Sequence, residues 1–153
     1  MTSAKPTSAN DPEGIEFVEA SWSFPQIYRA DPLLLAFFDG LKQKRLLAGK
    51  APGPNGRVIF PPTSFCETSY NEVTELVEVG HEGTIRTFTI MPGTPAKTIV
   101  FVQLAGADTA SAGYLRGVSE GTNALDLVGA ACRVVFADEP KGEWRDFWFE
   151  LAG

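Results

Sequence analysis

Apolar positions follow two different rhythms along the chain. Residues 1–14, "MTSAKPTSANDPEG", are polar and rich in Pro and Gly, with too little to bury to hold a structure. From Ile15 to Tyr28, large apolar residues (Phe17, Trp22, Phe24, Tyr28) recur with no period. Residues 1–27 therefore read as a disordered or extended arm laid over another surface. A helical rhythm begins in "RADPLLLAFFDGLKQKRLLAGK", where Leu34, Phe37, Phe38, Leu41 and Arg45 fall on one stripe. Asp31 is placed to cap the helix and Pro32 sits at its first position, where a missing N–H costs nothing. Gly49 supplies a stop, so the spacing predicts a helix over 28–49.

After residue 70 the period changes to two. Strands are predicted over 72–79, 84–91, 97–106, 112–118, 130–137 and 145–151, with a helical turn around Ala124–Leu127. Gly80-His81-Glu82-Gly83 reads as a hairpin turn joining the first two strands. The apolar run "KTIVFVQLAG" reads as a strand buried on both faces or nearly so. In "TIRTFTIM", Ile85, Thr87 and Thr89 alternate against Arg86, Phe88 and Ile90. Successive strands without intervening helices indicate a barrel or sandwich, and mid-strand glycines favour a small Greek-key barrel of the OB type. The expected fold is mainly β: an N-terminal helix, a small ribbon over 50–71, and an OB-fold barrel over 72–153.

Charge and composition narrow the functions open to such a chain. Its 153 residues carry a net charge of −6, which disfavours phosphate-backbone partners, so no nucleic acid is expected. There is no run of apolar residues long enough to span a bilayer and no apolar leader, which makes the expected location cytoplasmic and the expected partners non-membrane. Cys66 and Cys132 then read as free thiols, and Cys132 alternates with Val134 and Phe136 toward a core. The one histidine, His81, falls in a turn. Glu72, Glu75, Glu78 and Glu82 read as a solvated face. Neither a phosphate loop nor a dinucleotide fingerprint is present, so no catalytic residue is assigned.

The stretch "KAPGPNGRVIFPPTSFCETSY" (50–70) has the plan of a metal ribbon. Pro52-x-x-Asn55-Gly56 is followed, ten residues further, by Cys66-x-x-Ser69, the spacing of paired C-x-x-C knuckles. Of these four positions only Cys66 is a good zinc ligand, so zinc is not expected. Together with "GTIRTFTIM", "IVFVQLAGA" and "LVGAACRVVF", this stretch resembles the DUF35 OB-fold family of acyl-CoA-associated proteins over about residues 28–150. That family joins a helix, a rubredoxin-like zinc ribbon and an OB barrel. The chain departs from it at Pro52, Asn55 and Ser69.

The resemblance implies a non-catalytic accessory subunit of a thiolase-type complex. Such a subunit braces the catalytic partner and helps shape the site for coenzyme A or acyl-CoA, with no tightly bound cofactor of its own. Lys44, Arg45 and Arg57 are the candidate contacts to coenzyme A phosphates, although the basic residues at the helix end equally suit its dipole. Trp22, Phe24, Phe37 and Phe38 offer more apolar surface than one small barrel uses and are the candidate partner interface. A single-stranded nucleic-acid binder and a stand-alone small-ligand carrier are the alternative readings.

Overall fold

The structure, a computed structural model, describes residues 20–119 and 121–153. Its first element, α1 (Pro32–Lys42), starts where the sequence places it: the Asp31 carboxylate accepts the Leu33 N–H at 2.7 Å and Pro32 opens the first turn. The helix ends at Lys42, well short of Gly49. Lys44 adopts the left-handed region (φ 56°), the Arg45 N–H reaches back to the Gly40 carbonyl, and the Lys44 N–H to that of Leu41. This is a Schellman closure with lysine in the place usually held by glycine, which hides it from a search for stop residues. The freed residues Leu47–Lys50 become β1, and Arg45 leaves the helical stripe.

Strand β1 is the centre of a small three-stranded sheet, ordered β2-β1-β3, with β2 at Val58–Ile59 and β3 at Glu75–Glu78. The expected hairpin across Gly80–Gly83 does not form: β3 pairs with β1, placing Ala48 opposite Val77. The ribbon layer therefore extends to Glu78, and the barrel begins after it. A turn signal fixes where a chain bends but not which strand it will pair with.

The remaining strands are β4 (Glu82–Met91), β5 (Lys97–Leu104), β6 (Ala110–Arg116), β7 (Ala131–Phe136) and β8 (Phe147–Leu151). They close a barrel in the order β4-β5-β6-β8-β7, with β6 and β8 as the parallel pair. This is the OB arrangement, and the predicted turn Ala124–Leu127 is present as a short 3₁₀ segment between β6 and β7. In β4, a bulge between Ile85 and Thr87 alters the expected alternation. Ile85 faces Val102 and Phe88 faces Val100, so both turn inward despite their odd spacing. Strand β5 is buried on one face rather than two: Val100, Val102 and Leu104 are interior, whereas Phe101 is 40% exposed.

One continuous core joins the layers. Phe37 and Leu41 of α1, Leu46 and Ala48 of the ribbon, Phe60 after β2, and Ile85, Val100, Cys132 and Phe149 of the barrel all belong to it. Gly113 makes room for this packing, because a Cβ there would stand 2.5 Å from the Phe149 ring. Hydrogen bonds reinforce the junction. The Val58 N–H donates to the Asp108 carboxylate at 2.8 Å, and the Phe60 N–H donates to the Thr109 hydroxyl at 2.9 Å. A second, small core of Ala51, Ile59, Cys66 and Val73 fills the ribbon itself.

Candidate functional site

The knuckle containing Cys66 keeps its shape without a ligand set. Cys66 is buried, its N–H donates to the Asn71 carbonyl at 2.9 Å, and the Tyr70 N–H donates back to the Cys66 carbonyl at 2.8 Å. The thiol is held below its ordinary range chiefly by the Ser69 hydroxyl, then by the Ser69 and Thr68 N–H groups and the Arg57 charge, while burial opposes them. Ser69 thus serves the sulfur as a hydrogen-bond donor at the position where a second thiol would bind metal. Across the ribbon, Pro52 and Asn55 are exposed, and among the described residues no three His, Cys, Asp or Glu side chains gather. One sulfur among Pro, Asn and Ser is not a zinc donor set, and the residues do not fit that metal.

The three candidate phosphate contacts do not converge. Arg45 donates to Glu78 at 3.1 Å and Arg57 to the Thr68 hydroxyl at 2.6 Å, with Glu67 at 3.7 Å. The Ala51 N–H bonds the Arg57 carbonyl, so Arg57 sits level with Ala51 while Arg45 precedes β1 at its opposite end. That separation is about 20 Å of extended chain. Lys44 is solvent-exposed beside Arg45.

The four candidate interface aromatics divide. Phe37 is wholly buried, its ring packed 5.6 Å from Phe60 and 5.1 Å from Trp144, so it is a core residue and not a docking one. A helical stripe shows which residues share a face but not whether the fold itself covers that face. Phe38 is half-buried, edge-on to Trp144 at 5.2 Å. Trp22 and Phe24 are 78% and 72% exposed and stacked 6.2 Å apart; Ile27 and Tyr28 in the same arm are 100% and 77% exposed. The portion of the predicted arm before residue 20 lies outside the described residues.

Sequence reasoning missed Trp144, whose position is set by Asp146. The buried Asp146 carboxylate accepts the N–H groups of Lys141, Gly142 and Glu143 at 3.0, 2.6 and 2.8 Å, winding the chain into the turn that carries Trp144. Burial would raise the pKa of the Asp146 carboxyl, but these donors and the nearby Lys141 charge outweigh it and hold the carboxyl below its ordinary value. The only advance signal was Glu143 three residues before Asp146, a capping-box spacing. Also unrecognised were the outward-facing cations Lys97 and Arg116, which the barrel brings to one pocket with Tyr114. His81 is exposed, and its ring meets the edge of Phe136 at 5.2 Å. Cys132 is buried, and that burial lifts its thiol to about 11, so it is no nucleophile at neutral pH. No helix among the described residues is long and apolar enough to cross a membrane.

No protein-family profile matches the chain, and no curated protein matches it. Solved structures do. A DUF35-family protein of unknown function from Sulfolobus solfataricus superposes with a TM-score of 0.59 at 20% identity, over 79% of this chain and 86% of its own. A chain of the Ltp2–ChsH2(DUF35) aldolase superposes with a TM-score of 0.59 at 17% identity, over 84% of this chain and 98% of its own. The sequence motifs and the superpositions agree: this protein has the ribbon-and-barrel architecture of DUF35 OB-fold proteins.

Proposed function

We propose that this chain is a non-catalytic accessory subunit of an acyl-CoA-processing enzyme complex of thiolase type. In that complex it braces the catalytic subunit and helps to form the coenzyme A site. The observation that carries the proposal is the arm Trp22–Tyr28, four large apolar side chains left in solvent beside a helix already packed on its own barrel. Aromatic side chains bury on the order of 150–250 Å² each, so such an arm matches much of one partner's share of a standard interface. A structural neighbour within an aldolase complex supports the same role. The residues agree, since neither an exposed lone histidine nor two buried thiols make a nucleophile and base pair.

The test is affinity purification of the full chain from its native host, with the bound protein identified and the complex sized. A stoichiometric complex with a thiolase-fold, acyl-CoA-dependent enzyme is expected. Replacing Trp22 and Phe24 together by alanine weakens it by roughly 30-fold or more, as for truncated interface anchors. Recovery of the chain alone as a monomer would overturn the proposal.

A further inference from the structure

The outer face of the barrel between β5 and β6 carries an arrangement that neither the core nor the arm explains. Thr98 pairs with Leu115, which puts Lys97 and Arg116 at the next cross-strand position, and both line a pocket of about 340 Å³. Like charges set opposite each other on neighbouring strands destabilise a sheet. Here neither is relieved by a carboxylate among the described residues. Glu150, opposite Arg116 across the parallel β6–β8 pairing, is engaged by Arg133 at 3.4 Å and by the Trp148 indole N–H at 3.1 Å.

Both cations lean on rings instead. The Lys97 Nζ lies 5.5 Å from the Tyr114 centroid, and the Arg116 guanidinium lies 4.1 Å from that of Trp148. Tyr114, 42% exposed, also walls a second cavity of about 440 Å³ with Phe38, Trp144 and Arg145. One ring therefore separates a cationic pocket from an aromatic groove.

We propose that the two adjoining pockets bind a nucleotide, its phosphates between Lys97 and Arg116 and its base against Tyr114 toward Phe38 and Trp144. A phosphate group relieves the repulsion between the two cations, and a planar base covers the half-exposed rings. A bare phosphate leaves the aromatic groove unused. A polynucleotide needs a longer basic track than Lys97, Arg116 and Arg145 provide on an acidic chain. In the complex proposed above the ligand is the nucleotide end of coenzyme A. That identification rests on the functional reading, whereas the site rests on its own geometry.

The experiment titrates the full chain with coenzyme A, adenosine 3′,5′-bisphosphate, pyrophosphate and an oligothymidine, read by calorimetry and by tryptophan fluorescence, which Trp144 and Trp148 report. Coenzyme A and adenosine bisphosphate are expected to saturate and to compete with each other. Lys97→Ala and Arg116→Ala each weaken both by about tenfold. Tyr114→Ala weakens the adenine-bearing probes and leaves pyrophosphate unchanged. The Lys97 and Arg116 side chains are exposed, so their variants keep the fold, and the circular dichroism of Tyr114→Ala is expected to stay that of the wild type.

The site is refuted if no nucleotide saturates at millimolar concentration, or if Lys97→Ala with Arg116→Ala leaves affinity unchanged. It is also refuted if oligothymidine binds more tightly than either mononucleotide probe. A chain that forms the partner complex yet binds no nucleotide sinks this site alone; one that binds nucleotide yet forms no complex sinks the accessory role alone.

Discussion

Phe37→Ala separates a core reading of α1 from an interface reading. Phe37 is fully buried, and its ring touches Phe38 at 5.5 Å, Phe60 at 5.6 Å and Trp144 at 5.1 Å. It therefore joins the helix, the end of the ribbon and the β7–β8 turn of the barrel in one contact. Truncating such a phenylalanine costs about 3–5 kcal/mol, made up of lost transfer energy and the cavity left behind. For a chain of this size each kcal/mol moves the midpoint by roughly 2–4 °C, so the Tm falls by roughly 6–20 °C. Urea and thermal melts followed by circular dichroism and tryptophan fluorescence measure it, and both probes are expected to move together because one core spans all three parts. A Tm within about 3 °C of wild type would show that the ring is not buried as described. Two transitions, the later one unchanged, would show that helix and ribbon are only appended to an independent barrel.

The other stability predictions concern buried polar groups. Asp146→Ala strands the N–H groups of Lys141, Gly142 and Glu143 and is expected to cost about 2 kcal/mol by denaturant melts. The Asp146 carboxyl is held below its unfolded value of 3.8, so its contribution is full above that pH and is lost as pH falls through the folded value. Asp146→Ala should therefore lose less stability than wild type on acidification, and an equal loss would sink the assignment. Cys132 has the opposite sign. Its folded value of about 11 lies above the unfolded 9.0, so its contribution is full below pH 9.0 and disappears as pH rises through about 11. Wild type should lose about 2 kcal/mol more than Cys132→Val across that interval, and parallel pH curves would refute it.

Local chemistry in the sequence determined much of this protein. The Asp31–Pro32 start of α1, five barrel strands and the Ala124–Leu127 turn follow from capping geometry and period-two alternation, which need only near neighbours. The inward face of Cys132 follows in the same way, whereas Glu75 and Glu78, three apart on one strand, are exposed because of their charge.

Pairing is a different matter, because a strand's partner is chosen by contacts distant in sequence. β3 could have turned back on β4; it joins β1 instead, where the Leu46 carbonyl accepts the Val79 N–H and Arg45 meets Glu78. The bulge that turns both Ile85 and Phe88 inward exists because β5 fixes the register opposite. Phe37 and Phe38, adjacent and chemically identical, differ in burial only because the core closes over one of them. Lys97 and Arg116, 19 residues apart, become a site only when β5 and β6 align. Periodicity records which way a side chain points, and the tertiary structure decides what it meets there.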